Sequence, residues 1–247
     1  MAVVILIPHP DDEIFLLPLL ERFSNEPIYF ICLTDGQHAS DNSLGIRRSA
    51  EFEKSISCLN RIGFQAEILL FHSAKNIRDG FLHEDFTKDM FSQLQSLVES
   101  VNPETIIAPA FEGGHQDHDA VSLLSNLLNN HTEANLIHFS TYRSTTNLLP
   151  TFTVMNPIEH GQRVIFGRFR ACIIALRMIR IYRSQARTFI FLGFPILRRY
   201  IGKAWYTAGN ISDLSIDSFL YERRSKALSK DVLGFRSKIL NNHHDFE

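Results

Sequence analysis

The first thirteen residues constrain the fold more than any other stretch of this chain. Val3 to Ile7 is an unbroken apolar run rich in β-branched side chains, which is typical of a buried strand in a parallel sheet. Pro8 and Pro10 then end strand pairing, because proline has no backbone N–H to donate. The His-Pro-Asp-Asp-Glu sequence at 9–13 places one imidazole and three carboxylates at this strand end, where α/β sheets bind ligands. Such a cluster repels itself unless it binds a cation or takes up protons, so the stretch predicts half of a metal site.

The second half of this predicted site lies about a hundred residues further along the chain. The apolar run Thr105 to Pro109 leads into Glu-Gly-Gly-His-Gln-Asp-His-Asp at 112–119, so a second strand again ends in a polar turn. His9, Asp12 and His118 together give two histidines and one carboxylate, the usual protein share of an open catalytic zinc site. The same donors also suit non-haem Fe(II), which is therefore the alternative metal.

These two motifs, His-Pro-Asp-Asp-Glu and Gly-Gly-His-Gln-Asp-His, resemble those of the PIG-L/LmbE family of zinc-dependent N-deacetylases. Over about residues 1–190, the resemblance implies an α/β protein that removes acetyl groups from N-acetylglucosamine-type sugars. It implies three zinc ligands: His9, Asp12 and His118. It also implies that Asp11 is the general base, and that His115 stabilises the oxyanion and protonates the leaving amine.

The resemblance further implies substrate contacts from two other segments. Arg48-Ser49-Ala50-Glu51 is similar to the family's Arg-x-x-Glu, whose arginine faces the substrate, and the adjacent Arg47 is the alternative arginine. Asp79 is similar to a family aspartate that binds sugar hydroxyls. Without the resemblance, a solvated helix face explains the arginines and an Asp-Gly turn explains Asp79.

The residue types suit amide hydrolysis. Asp11 is adjacent to Asp12 but cannot point the same way, so it is free to accept a proton from the attacking water. His115 precedes His118 by about one helical turn, so both side chains can face the metal, and a protonated His115 can stabilise an oxyanion. We expect Asp117 to hold a ring nitrogen of one histidine and so fix its tautomer.

Three further residues near these motifs carry weaker expectations. Glu13 is expected only to occupy the first helical turn, where the helix dipole favours a carboxylate. Asp35 follows the second predicted strand and either faces the site or caps its turn. His38 is the one remaining histidine close enough to a strand end to test as a site residue.

Predicted strands and helices alternate along the first 140 residues. The strands are Val3–Ile7, Ile28–Leu33, Glu67–Phe71, Thr105–Ala108 and Asn135–Ser140. The helices are Asp12–Phe23, Gly45–Arg61, Glu84–Val101 and Asp117–Asn130. This alternation predicts a Rossmann-like α/β fold with a mostly parallel sheet and helices on both faces. The 247 residues are long enough for one domain over 1–247 with a full core.

Composition limits which partners the protein can bind and which cellular compartment it can occupy. A net charge of −2 argues against nucleic acid as a partner. Three widely spaced cysteines fit reduced thiols better than a disulfide framework. The chain shows no signal-peptide pattern and no apolar run long enough to span a membrane, so a cytoplasmic location is expected.

The segment from Gln162 to Ile211 differs from the rest of the chain. It carries ten Lys or Arg residues and no Asp or Glu, threaded through Ile, Leu and Phe. The spacing of Arg177, Arg180, Arg183 and Arg187 predicts one basic stripe along a helix. Such a stripe favours an anionic aglycone or a peripheral membrane contact, with solvated arginines covering apolar surface as the alternative. How the segment packs is left open, as is the oligomeric state.

Two other functions are consistent with the sequence. The first is a non-haem Fe(II) enzyme that uses the same two histidines and carboxylate, although such enzymes usually occupy β-barrels. The second is a non-catalytic protein that binds a sugar or a membrane surface through a vestigial metal centre. The intact Asp11 and His115 argue against this second alternative, because a binding module has no use for a positioned base.

Overall fold

The computed structural model describes residues 1–37, 42–141, 154–155, 162–166, 169–208, 232 and 234–235. His38 therefore lies outside the described residues, as do 209–211 at the end of the basic segment. Among the residues that are described, no helix has both the length and the apolar character that crossing a bilayer requires.

The described strands form one seven-stranded sheet in the order β3-β2-β1-β4-β5-β7-β6. The strands are β1 (Val3–Ile7), β2 (Pro27–Cys32), β3 (Gln65–Ile68), β4 (Thr105–Pro109), β5 (Asn135–Phe139), β6 (Gln162–Phe166) and β7 (Lys203–Ala208). The five strands β1 to β5 pair in parallel, whereas β7 runs antiparallel to β5, and β6 antiparallel to β7. The predicted mostly parallel sheet is confirmed. Its two antiparallel strands come from the basic segment, whose packing the sequence left open.

The helices are α1 (Leu17–Leu20), α2 (Asn42–Arg61), α3 (Leu82–Asp85), α4 (Lys88–Val101), α5 (Gln116–Asn129), α6 (Phe169–Ile181) and α7 (Ala186–Ile201). The helix predicted over Asp12–Phe23 is helical along its whole length, but only Leu17–Leu20 is α-helical. Two 3₁₀ segments flank the short α1, because Pro18 in its first turn has no N–H to continue the α-helical ladder. The prediction of one helix over Glu84–Val101 is wrong. The chain breaks after α3, and α4 begins at Lys88 after the N-cap residue Thr87, whose hydroxyl accepts a hydrogen bond from Met90 N at 3.3 Å.

Both faces of the sheet are buried, as the unbroken apolar run of β1 predicted. Val3, Ile5 and Ile7 point into a core shared with α2, α6 and α7, whereas Val4 and Leu6 point into a core shared with α4 and α5. Because β1 pairs directly with β4, the polar turns after these two strands leave the sheet side by side. The sheet order therefore brings the two halves of the predicted site to one edge.

The predicted single basic stripe is wrong. Arg177 and Arg180 lie on α6, whereas Arg183 lies in a 3₁₀ turn and Arg187 lies on α7. The helix ends before Tyr182, and in the turn that follows the backbone N–H of Ser184 donates to Glu51 Oε1 at 3.1 Å instead of continuing the helical ladder.

Candidate metal centre

The turn after β1 brings His9 and Asp12 together. The backbone N–H of His9 donates to Asp12 Oδ2 at 3.0 Å, and His9 Nδ1 lies 3.2 Å from the same oxygen. Asp11, between them, has a φ of 125°, a region that residues with a Cβ rarely adopt. The two adjacent carboxylates have different partners, because Asp11 Oδ1 accepts from Arg48 whereas Asp12 contacts His9 and His118.

The N-terminus of α5 supplies the second half of the cluster. His115 caps this helix, with its Nδ1 accepting a hydrogen bond from Asp117 N at 3.2 Å. His118 lies in the first turn, and its Nε2 is 3.3 Å from Asp12 Oδ1. His9, Asp12 and His118 are all buried, and each offers a ligand atom within 4.8 Å of the other two. The structure therefore brings together the three residues that the sequence singled out.

The chemistry of this donor set fits a divalent metal ion. His9 turns Nδ1 toward Asp12, while its Nε2 lies 2.9 Å from Asp117 Oδ2. His118 turns Nε2 toward Asp12, while its Nδ1 lies 2.9 Å from Thr141 Oγ1. In both histidines, an oxygen atom contacts the ring nitrogen that faces away from Asp12, and the nitrogen that faces Asp12 is the one positioned to bind a metal. This is the usual outer shell of a histidine metal site.

Charges inside the cluster stabilise one another. Burial disfavours the charged form of His9, but the carboxylates of Asp79, Asp117 and Asp12 raise its pKa well above the usual value. Burial likewise opposes ionisation of Asp12, yet His118 and His9 hold the pKa of this carboxyl below its usual range. The cluster therefore carries an ionised carboxylate ready to bind a cation.

Arg48 connects two acidic residues of the site. It is almost fully buried, and its guanidinium donates to Asp79 Oδ2 at 2.7 Å and to Asp11 Oδ1 at 3.2 Å. Burial raises the pKa of Asp11 to about 8, and the Arg48 charge opposes that rise. Arg47 is exposed and lies outside the cluster. Of the two arginines left open by the sequence, the structure thus places only Arg48 at the site.

Asp79 and His115 complete the rim of the cluster. Asp79 Oδ1 lies 3.2 Å from His9 Nε2, and the ring of His115 stands edge-on to that of His9, with centroids 5.0 Å apart. Burial lowers the pKa of His115 to about 4, although Asp117 and Asp79 partly oppose this. A proton on His115 at neutral pH therefore needs negative charge that develops during a reaction.

A cavity of about 230 Å³ opens directly on the cluster. Its polar wall consists of His9, Asp11, Asp12, Arg48, Asp79 and His115. Its opposite wall comes from the start of α7 and the residue before it: Gln185, Thr188, Phe189 and Leu192. The site is thus a small pocket with charged groups on one side and a partly apolar helix on the other.

Glu13 has a structural role that the sequence did not predict. Its side chain is completely buried, and its Oε1 accepts hydrogen bonds from Ser55 Oγ and Tyr182 Oη, both at 2.5 Å. Its Oε2 accepts from the backbone N–H of Asp11 at 3.1 Å. Burial raises the pKa of Glu13 to about 7, against the effect of these donors. Glu13 thus ties the strained Asp11 turn to α2 and to the residue that follows α6.

Two more carboxylates shape the second turn. Asp119 Oδ1 accepts from the backbone N–H groups of Glu112 and Gly113 at 2.9 and 3.1 Å. Glu112, which the sequence left unassigned, accepts from Ser140 Oγ at 2.6 Å and from Thr141 N at 2.9 Å. Glu112 therefore positions the threonine that contacts His118.

Asp35 caps a turn in this structure. Its Oδ1 accepts a hydrogen bond from Gln37 N at 3.0 Å, and it is not among the residues that line the cavity. Of the two alternatives that the sequence left open, the structure shows the turn cap.

The comparisons with known proteins agree with this fold. A model of the PIG-L family, described as GlcNAc-PI de-N-acetylase, matches residues 4–127. No curated protein sequence matches the chain. A deacetylase triple mutant (Orf2*T) of the teicoplanin biosynthetic pathway has a similar structure, with 12% identity, a TM-score of 0.61, and coverage of 86% of this chain and 100% of that one.

Two other solved structures are similar over a comparable share of the chain. The zinc inhibited form of teicoplanin deacetylase Orf2 is 13% identical, with a TM-score of 0.57 over 86% of this chain and 100% of that one. N,N'-diacetylchitobiose deacetylase from Pyrococcus horikoshii is 18% identical, with a TM-score of 0.57 over 85% of this chain and 84% of that one. At these identities the structures show the fold, and the family match covers half of the sequence. The chain therefore belongs to the PIG-L family of hydrolytic deacetylases.

Proposed function

We propose that this protein is a zinc-dependent hydrolase that removes the N-acetyl group from an N-acetylglucosamine-type sugar conjugate. One observation carries the proposal: Asp11, a carboxylate held by Arg48, lies at the same cavity as the three-donor cluster of His9, Asp12 and His118. The sugar class is supported by the printed descriptions of the family and of the chitobiose and teicoplanin deacetylases.

His9 Nδ1, Asp12 and His118 Nε2 are the atoms and residues that would hold the metal. Zinc bound there would supply Lewis-acid activation of the acetyl carbonyl and would lower the pKa of a water molecule to about 7. The donor set also suits Fe(II), so the metal content of the purified protein is part of the test below.

Asp11 is the proposed general base. Its Oδ1 is engaged by the Arg48 guanidinium at 3.2 Å, so Oδ2 is the atom that takes a proton from the attacking water. A base works best when its pKa lies near the working pH, and burial moves the pKa of Asp11 into the neutral range. Arg48 keeps the carboxylate oriented toward the cavity while the proton moves.

His115 is the proposed group that faces the oxyanion and the leaving nitrogen. Its Nδ1 accepts from the Asp117 backbone, so Nε2 is the nitrogen that carries the transferable proton. As the C–N bond breaks, this proton passes to the amine and is replaced by the proton that Asp11 took from the water, so His115 ends neutral and the products are acetate and the free amino sugar. Asp117 acts indirectly, because its carboxylate holds His9 and the backbone N–H groups of Gly80 and Leu82.

Arg48 and Asp79 are the proposed contacts to the sugar hydroxyls. Both line the cavity, and their ion pair presents donors and acceptors that a hydroxyl-rich ligand can share. We place the protein in the cytoplasm as one domain over 1–247. Support for this comes from the free cysteines Cys32, Cys58 and Cys172 and from the single sheet formed by the described strands.

An acetate-release screen over N-acetyl sugar conjugates tests this function. We expect release by the zinc-loaded wild type, and a loss of about 10²- to 10⁴-fold in Asp11→Asn, the range a general base supplies. Asp89→Asn, which changes an exposed aspartate on α4, is the matched control and should keep the wild-type rate. Metal analysis of each protein shows whether zinc is still bound. No release from any conjugate, or a fully active Asp11→Asn, would refute the proposal.

A further inference from the structure

The outer faces of α6 and α7 are unusually apolar for a protein surface. Seven large apolar side chains are exposed there: Phe169, Ile173, Leu176, Ile190, Phe191, Phe194 and Ile201. Ile190, Phe191 and Phe194 are 73%, 68% and 75% exposed, so most of the surface of each residue is accessible to solvent. We call these seven residues the apolar face. Exposed apolar residues that cluster in this way, rather than occurring singly, mark interaction surfaces.

This exposure belongs to one side of two well-packed helices. On α6, Ala171, Ala175 and Met178 are completely buried, and on α7, Ile196 and Tyr200 are completely buried. The two sets alternate at helical spacing, so each helix has an inner stripe in the core and an outer stripe outside it. The apolar face is therefore a defined surface of the folded chain.

Positive charge accompanies the apolar face. Among the described residues, Arg177, Arg180, Arg183, Arg187 and Arg198 are exposed and none forms an ion pair with a carboxylate. From Gln162 to Ile211 the chain has ten basic residues and no acidic one, whereas the whole chain has a net charge of −2. Charge is thus segregated, with the basic part next to the exposed Phe and Ile side chains.

The same helix also forms a wall of the cavity. Thr188, Phe189 and Leu192 of α7 line the pocket, while Phe191 and Phe194 point outward from the same turns. Whatever binds the apolar face therefore lies one helix width from the active site.

We propose that the outer face of α6 and α7 docks the protein on an anionic lipid bilayer. The apolar side chains would enter the interface between headgroups and acyl chains, and the arginines would contact the lipid phosphates. A bilayer fits better than a protein partner because every charged residue of α6 and α7 is an arginine, which matches the uniform negative charge of an anionic lipid surface. Here arginines alternate with apolar residues within single helical turns, as on helices that lie in a membrane surface.

Co-sedimentation of the full chain with phospholipid vesicles tests the proposal without any need for turnover. We expect binding to phosphatidylcholine vesicles that contain phosphatidylserine, and much weaker binding to phosphatidylcholine alone. Phe191→Ser/Phe194→Ser should lower the affinity by about tenfold or more. Arg177→Gln/Arg180→Gln should lower it by about 30-fold on the anionic vesicles and reduce its salt dependence.

Matched controls remove similar groups elsewhere on the surface. Leu70→Ser and Ile46→Ser replace apolar residues that are 67% and 73% exposed, and Arg47→Gln replaces an exposed arginine on α2. All three should bind anionic vesicles like the wild type, and circular dichroism should show an unchanged fold in every variant.

Three outcomes would overturn the proposal. The first is no binding of wild type to anionic vesicles at low salt. The second is unchanged binding by Phe191→Ser/Phe194→Ser. The third is a wild-type dimer in sedimentation equilibrium that this double variant converts to a monomer, because the apolar face would then be covered by a second copy. None of these outcomes depends on acetate release, so the proposed function is tested separately.

Discussion

Arg48 contacts three turns of the candidate site. Its guanidinium contacts Asp11, Asp79 and the carbonyl oxygen of Gly36, the last at 3.0 Å. Gly36 has a φ of +70°, and a Cβ built there would lie 2.5 Å from Arg48 Cζ. The glycine is thus needed twice, once for its backbone conformation and once for the space that the guanidinium fills.

A comparison of Gly36→Ala with a matched control separates the effect of backbone conformation from the effect of the space that Arg48 fills. We expect Gly36→Ala to displace Arg48 and to lower kcat/KM for acetate release by about tenfold or more, since misplaced catalytic groups are costly. Gly63→Ala is the matched control, because Gly63 also has a positive φ but its Cβ would have no neighbour within 4 Å. Urea unfolding should show a loss of about 1 kcal/mol in Gly63→Ala and a larger loss in Gly36→Ala, because displacement of the buried Arg48 leaves Asp11 and Asp79 without their cation. Equal activity in the two variants would show that the Arg48 contact does not matter.

Glu13 acts on the proposed base through the backbone. It accepts the N–H of Asp11 and is itself fixed by Ser55 and Tyr182. We expect Glu13→Gln to lower kcat by about tenfold with little change in KM, because an amide replaces one of the acceptor oxygens. Tyr182→Phe should act in the same direction, while Tyr29→Phe on β2 should be neutral. A normal kcat in Glu13→Gln with normal zinc content would remove this positioning role.

At the scale of elements, the pairing of β1 with β4 is what assembles the site. The sequence predicted this assembly because each half of it, His9 with Asp12 and His115 with His118, is local to one strand end. The sequence did not predict the positioning role of Glu13, whose partners Ser55 and Tyr182 lie 42 and 169 residues away. Long-range contacts of this kind leave no periodic signal in the sequence.

The basic segment was predicted least well for a related reason. Its arginines recur at helical spacing, but the turn between α6 and α7 is held by a hydrogen bond from Ser184 N to Glu51, which lies 133 residues away. The antiparallel pairing of β6 and β7 likewise depends on β5 as an edge to extend. The alternation of strands and helices over the first 140 residues, by contrast, is a local pattern, and it predicted the parallel sheet.

Strand β5 also carries a buried titratable group that makes stability depend on pH. Burial lowers the pKa of His138 to about 4, from a usual value near 6.5. The unfolded chain then binds more protons than the folded one between these values, so stability is full above about pH 6.5 and falls as pH drops toward 4. By pH 5 the expected loss is about 2 kcal/mol.

The variant His138→Gln tests this origin of the loss, since Gln can still reach the Ser125 hydroxyl that lies 3.3 Å from His138 Nε2. Urea unfolding at pH 7.5 and pH 5 should show a loss about 2 kcal/mol smaller in the variant than in the wild type. Identical losses in both proteins would mean that other groups cause the pH dependence.

At the scale of the whole molecule, two regions of different chemistry lie next to each other. The polar edge of the sheet gathers the proposed metal ligands and Asp11, while α6 and α7 present arginines and exposed apolar side chains. The cavity joins the two regions, because α7 forms one of its walls. The polar edge is consistent with the family match and the fold. The apolar face was not predicted from the sequence, because it depends on which sides of α6 and α7 are buried.

A zinc titration of metal-free protein, followed by acetate release, tests the central claim most directly. The wild type should gain activity in proportion to added zinc and reach its maximum at about one ion per chain. Asp12→Ala should stay near the baseline at the same zinc concentrations, because it lacks the carboxylate between His9 and His118. Activity that is full without zinc, or that zinc restores equally in Asp12→Ala, would contradict the account.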